Sequence, residues 1–228
     1  MMKSTLKGLG YVLLVGCMGI SLYAINLFLM KPYSIDHYLA KELVLDALDS
    51  PEYMTYLGVF DDYNFLLKHN QKLSIGSLEK DEQDHSKNLN QLETLQSYEP
   101  DEISSIQKVT RQIAIFDVEN DINEFENFRY HSYPFNQISG NHLNMVEFMT
   151  DSHPVRSYRE ALDFIARVEL FDEVLGANLI WLNEQKKLGI YAPQYVFDHV
   201  IKQLKELIAF SDAENPLFDV FQKKLEDL

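Results

Sequence analysis

An all-α fold is what this 228-residue sequence predicts: an N-terminal transmembrane or lipoprotein-type anchor, then a multi-helix array with one long central helix. Three observations carry it. Beyond residue 32 the apolar residues recur at three- and four-residue spacing, with no alternating run long enough for a strand. Prolines and small polar residues stand where helices start, as in Ser50-Pro51-Glu52 and Asn215-Pro216. Between Lys7 and Lys31 lie 23 uncharged residues, GLGYVLLVGCMGISLYAINLFLM.

As a helix that run would span about 35 Å, enough for a hydrocarbon core of about 30 Å. Lys3 and Lys7 precede it, and an acidic chain follows from Asp36. The positive-inside rule then puts the N-terminus in the cytoplasm and the folded part in a periplasm, anchored in the inner membrane. A second reading stays open. Leu14-Val15-Gly16-Cys17 has the form of a lipobox, in which Cys17 would be lipidated, although the apolar run continues for thirteen residues beyond it. The chain therefore divides into a signal anchor or lipoprotein segment, 1–32, and a helical domain, 33–228.

The helices follow in order. Asp36–Leu48 carries Leu39, Leu43 and Leu48 at helical spacing. Proline at the first helical position opens the next after Ser50, and Gly58 with Asp61-Asp62 marks a turn. Residues 68–88 are polar and read as partly mobile, with a helix resuming near Ser77. Pro100 is expected to start another, followed by Ile103, Ile106, Ile113 and Phe116. The stretch Tyr133–Pro154, YPFNQISGNHLNMVEFMTDSHP, then reads as a connection, with its glycine and two prolines. Ser157-Tyr158-Arg159-Glu160 is a capping box. From it a continuous helix of about thirty residues is expected to Lys187, with Ala161, Ile165, Val168 and Leu175 on its apolar stripe and Gly189 just past its end. Pro193 and Asn215-Pro216 open the last two helices. The final one keeps an apolar face to the last residue, so the sequence reads as unfinished.

Composition narrows the function. Residues 31–228 hold 18 basic and 35 acidic side chains, a net of −17. Such a surface repels phosphate backbones, so no nucleic-acid partner is expected. Anionic lipid head groups are repelled too, so the membrane would be a partner through the N-terminal segment alone. Cys17 is the sole cysteine, which excludes an internal disulfide and a cysteine-ligated zinc. His131, His142 and His153 stand eleven residues apart, but none of the seven histidines has another within five positions. An H-E-x-x-H zinc helix is therefore absent from the sequence, as are a G-x-S-x-G elbow and a phosphate-binding loop. No catalytic, cofactor-binding or metal residue is assigned. The acidic group Asp117, Glu119, Asp121, Glu124 and Glu126 lacks calcium-loop spacing and reads as a solvated helix face. The aromatics from Phe116 to Phe135 read as core, or as a groove running into the loop.

The segments PEYMTYLG, YPFNQISG, EFMTDSHP, SYREALDFIARVELF, KKLGIYAP and NPLF, in that order, resemble the bacterial family called domain of unknown function 885. The similarity covers about residues 33–228. It implies an all-helical fold related to zinc peptidases, in secreted or lipid-anchored proteins of about twice this length or more. In those proteins the H-E-x-x-H helix lies in a C-terminal half that has no counterpart here. The resemblance therefore implies zinc for complete members, none for this chain, and a peptide substrate or the missing half as partner. The expected role is cleft-shaping, with Tyr133, Asn136, Gln137 and His153 as candidate lining residues. The commoner role of such side chains is to hydrogen-bond their loop's own backbone. A non-enzymatic, membrane-tethered module that binds a partner through its last helices is the alternative.

Overall fold

The computed structural model describes residues 2–211 and 214–228; for residues 2–10 and Val12 it describes the helical path alone. Among the described residues there is helix and no strand. The helices are α1 (Met2–Leu29), α2 (Ile35–Asp49), α3 (Pro51–Leu57), α4 (Asn64–Leu67), α5 (Leu78–Gln96), α6 (Ser105–Asn123), α7 (Asn141–Glu147), α8 (Tyr158–Val168), α9 (Phe171–Leu188), α10 (Gln194–Ala209) and α11 (Pro216–Glu226). Among the described residues no helix is long and apolar enough to cross a membrane. Part of the expected anchor, residues 8–10 and Val12, lies outside the described side chains.

The chain forms two compact units, residues 1–46 with 87–121, and residues 47–86 with 122–228. In the first, Asn26 is buried and turns the chain after α1. Its carboxamide donates to Lys31 C=O (2.9 Å) and accepts from Tyr33 N–H (3.0 Å). Ile35, Tyr38, Leu95, Tyr98 and Val118 are its buried apolar residues. Tyr98 donates to Pro32 C=O at 2.8 Å, and Arg111 caps the end of α5 through Leu95 and Gln96 C=O.

α6 starts five residues later than expected. Pro100–Glu102 is a single 3-10 turn, and the cap is Ser104. Its Oγ accepts from Gln107 N–H at 3.3 Å, while Gln107 Oε1 accepts from Ser104 N–H at 2.9 Å. This is an S-x-x-Q capping box written in the sequence, and it outcompetes the proline because it satisfies two orphan donors at once.

The second unit has two apolar clusters. Met149, Val155, Ala161 and Phe164 form one, and Leu73, Met145 and Val174 the other. Phe148 and Phe171 pack against both. Those two aromatics explain why the expected thirty-residue helix is two helices. α8 ends at Val168, Leu170 N–H bonds back to Arg167 C=O (3.2 Å), and α9 begins at Phe171. Neither Gly nor Pro marks the break. The tightened turn brings Leu170 and Phe171 onto the second cluster, and tertiary packing overrides a continuous helical period. The ends themselves are as the caps predict. Ser157 Oγ accepts from Glu160 N–H, and Gly189 closes α9 with φ 72°, the left-handed conformation that suits glycine.

The stretch 133–154 is more than a connection. It contains α7 and then a π turn at Phe148–Ser152. His142, Met145 and Met149 are buried on one face. Their i, i+3, i+7 spacing is a helical signal that the flanking prolines obscured. Gly140 is required before α7 for space. A Cβ there would lie 2.6 Å from the backbone N and O of Asn136 and 2.7 Å from His142 Cε1. Asn136 cannot retreat, because its Oδ1 accepts from Ile138 N–H (3.0 Å) and Ser139 N–H (2.7 Å). Gly140→Ala is expected to destabilise the protein by about 1–3 kcal/mol through overpacking. A urea unfolding midpoint equal to that of the parent would contradict this.

Candidate functional site

The segment Tyr130–Tyr133 is fixed by α9. Gln185 Nε2 donates to Tyr130 C=O (2.7 Å) and Ser132 C=O (2.9 Å). Trp181 packs on Tyr130, ring centroids 5.1 Å apart, and its indole N–H reaches Ser132 C=O at 3.4 Å. Across from it stands the start of α5, where Ser77 Oγ accepts from Lys80 N–H. Between them lies a cleft of about 580 Å³, lined by Ser77, Lys80, Asp81, Asp84, Tyr133, Asn141, Asn178 and Trp181 among others.

The charges in this cleft are compensated. Lys80 bridges Asp49 (2.8 Å) and Asp84. Burial works against its charge, but the two carboxylates outweigh burial and hold its pKa above the ordinary value. Asp81 pairs with Arg129 Nε at 2.5 Å, and Arg129 also pairs with Glu82. The guanidinium lies over Phe125, 4.3 Å from the ring centroid. Asn141 donates to Asn178 Oδ1 at 3.0 Å, leaving the buried Asn178 Nδ2 unpartnered. The cleft thus offers amide and hydroxyl groups beside aromatic walls, with little net charge.

Of the sequence candidates, Tyr133 lines this cleft, and its hydroxyl donates to Tyr191 C=O at 3.2 Å. Asn136 is engaged by its own turn, as above. Gln137 uses its carbonyl to accept from Gln203 Nε2 (3.1 Å). His153 is 1% exposed and lies in the core of the second unit. The three evenly spaced histidines meet different partners. His142 Nε2 lies 3.1 Å from Gln203 Oε1, His153 Nδ1 lies 2.8 Å from Arg167, and His131 packs edge-on to Phe128. Among the described residues no group of three or more His, Cys, Asp or Glu is placed to hold a metal ion. No step through zinc is assigned to the residues present. Cys17 is exposed on α1, and the acids Asp117, Glu119, Asp121, Glu124 and Glu126 are exposed.

Sequence reasoning missed the polar core of the second unit. Arg167 is fully buried and its guanidinium serves four neutral acceptors: Lys72 C=O (2.7 Å), His69 C=O (2.6 Å), Thr55 Oγ1 (3.1 Å) and His153 Nδ1 (2.8 Å). Asp163, one turn earlier, is equally buried and accepts from Asn64 Nδ2 (2.7 Å) and Gln71 Nε2 (2.6 Å). The polar segment after residue 68 is therefore not loose. His69–Gln71 is a 3-10 turn locked into this network, with His69 and Asn70 buried. The apolar stripe expected on α8 is also rotated. Ile165 is exposed, while Asp163, Phe164 and Arg167 face inward. An Asp and an Arg four apart normally signal a solvated pair on a helix surface, so the sequence held no sign of their burial.

Residues 51–228 match the family described as bacterial protein of unknown function, DUF885. The chain belongs to this family. The DUF885 match takes in the whole of the cleft and the Arg167 network. No curated protein shows significant similarity to the chain. Among solved structures, a protein from Colwellia psychrerythraea described as a candidate lipoprotein has a similar fold, with a TM-score of 0.64 at 19% identity. The similarity covers 79% of this chain and 34% of that one. This chain thus spans about a third of the solved protein's length.

Proposed function

We propose that this DUF885 chain is the non-catalytic, cleft-forming helical part of a membrane-anchored protein that acts outside the cytoplasmic membrane. In that reading the chain does not hydrolyse peptides by itself. A complete protein would add the zinc-peptidase half, with metal, polarised water and glutamate base. This part would supply a wall for a peptide substrate, through Tyr133, Trp181 and the Asn141–Asn178 pair. The observation that carries the proposal is the correspondence with one third of a much longer solved protein, combined with a preformed polar cleft. The uncharged run before Lys31 supports attachment through a signal anchor, or through a lipid on Cys17. The lipoprotein description of the solved relative supports the same side of the membrane.

The purified chain is expected to carry no tightly bound zinc by elemental analysis and to leave peptides intact. Stoichiometric zinc would overturn the reading, and so would genomic sequence lacking a downstream frame that continues into H-E-x-x-H. The second reading, a tethered partner-binding module, draws on the exposed apolar residues of α10 and α11, among them Ile201, Ile208, Phe218 and Leu225. A clean stop downstream, together with capture of a folded partner by that face, would favour it.

A further inference from the structure

The hairpin of α9 and α10 encloses a second cavity, of about 440 Å³, separate in character from the polar cleft. Its volume falls within the range of about 300–1,000 Å³ usual for small-ligand sites. Its walls are almost wholly carbon: Phe135 and Leu182 on one side, Val196, Val200 and Leu204 on the other. Val196 and Val200 are buried at its floor. Of its polar lining, buried Gln185 bonds Tyr130 and Ser132 C=O, and the Tyr133 and Tyr191 hydroxyls donate to Tyr191 and Lys186 C=O. The two remaining polar side chains, Asn183 and Lys186, line it at the exposed edge. They stand three apart on α9, and therefore on neighbouring positions of one helix face. Among the described residues neither side chain has a hydrogen-bond or ion-pair partner, whereas the adjacent Lys187 is paired with Glu184 at 2.6 Å. The last carbonyls of α9 are covered by Gly189 and Ile190 N–H, which limits the negative field at this end of the helix.

We propose that this cavity binds an aliphatic carboxylate, a fatty acid or a fatty-acyl chain ending in an acid group. The tail would occupy the carbon-lined space, and the head would accept from Lys186 and Asn183. Charge complementarity selects the head group locally, since the Lys186 ammonium has no ion-pair partner at the rim of an apolar cavity and stands against the general repulsion of a chain of net charge −15. The wall chemistry selects the tail. A peptide laid along it would bury backbone N–H groups against carbon with no acceptor, which costs free energy. A hydrocarbon has no such need.

Isothermal titration of the full chain with decanoate, below its micelle concentration, tests this. One decanoate per chain is expected, with 1-decanol binding at least tenfold more weakly and Lys186→Glu losing at least tenfold for decanoate. Lys186 is exposed and its side chain has no partner to lose, so the variant is expected to fold. Equal affinity for decanoate and decanol, or equal decanoate binding by parent and Lys186→Glu, would mean that apolar surface alone is being titrated, on α1 or elsewhere. Either result overturns the proposal. So does tighter binding of N-acetyl-Leu-Phe than of decanoate, or concentration-dependent dimerisation that closes the cavity and leaves no decanoate heat.

Discussion

Replacing Arg167 with Ala is expected to cost about 3–5 kcal/mol of stability, the usual penalty for removing one member of a buried charged network. The side chain is fully buried and holds two backbone carbonyls, a hydroxyl and an imidazole. Truncation removes the side-chain donor of the Lys72 carbonyl and of His153 Nδ1, and takes one of several bonds from the His69 carbonyl and the Thr55 hydroxyl. Its own pKa is held down to about 10, first by burial, with the negative charges of Glu52 and Asp163 working the other way, so it stays charged at neutral pH. Arg167→Lys is expected to rescue little, because one ammonium cannot reproduce a planar fork that reaches four acceptors. Arg156 provides the contrast. It pairs with Asp61 (2.6 Å) and Glu160 (2.7 Å), but its side chain is more than half exposed, and Arg156→Ala should cost less than about 1 kcal/mol. Urea unfolding of the three variants checks the order. Equal losses for Arg167→Ala and Arg156→Ala would show that the buried network contributes no more than a surface pair.

The second large effect is a loss of stability in acid that traces to His153. Arg167 Nη1 donates to its Nδ1, so the proton sits on the buried Nε2, on the side where the Glu160 backbone offers only a weak opposing influence. Burial, and then the charge of Arg167, hold its pKa down to about 3 from an ordinary 6.5. The folded state therefore keeps a neutral imidazole where the unfolded chain takes up a proton. Stability from this residue is complete above pH 6.5. It falls as pH drops toward 3, by at most about 5 kcal/mol over the window. His69, also buried and shifted down, adds in the same direction. His153→Gln removes the titration and can keep an acceptor for Arg167. Between pH 7.5 and 4.5 it is expected to lose about 3 kcal/mol less than the parent. Parallel stability curves for parent and variant across that range would exclude His153 as the source.

How much was legible in the sequence depends on the range of the interaction concerned. Ser50, Ser157, Gly189 and Asn215 act within one turn of their own positions, and each caps the helix its local sequence assigns. The Ser104–Gln107 box and the His142–Met145–Met149 spacing were equally local, yet were masked by prolines nearby. The candidate site divides the same way. Asn136 follows the general rule for turn amides and bonds its own backbone. Tyr133 reaches the cleft because Gln185, more than fifty residues away, holds the backbone beside it.

The sequence by itself determined helical class, acidity, family membership and most helix ends, because propensity, charge and capping are properties of short segments. The tertiary structure alone decided the break at Leu170, the inward turn of Asp163 and Arg167, and the burial of the 69–71 segment. Each depends on partners about ninety or more residues away or on a packed cluster that no local pattern encodes. A charged residue buries only when a complete set of hydrogen-bonding partners converges on it, and convergence belongs to the folded chain.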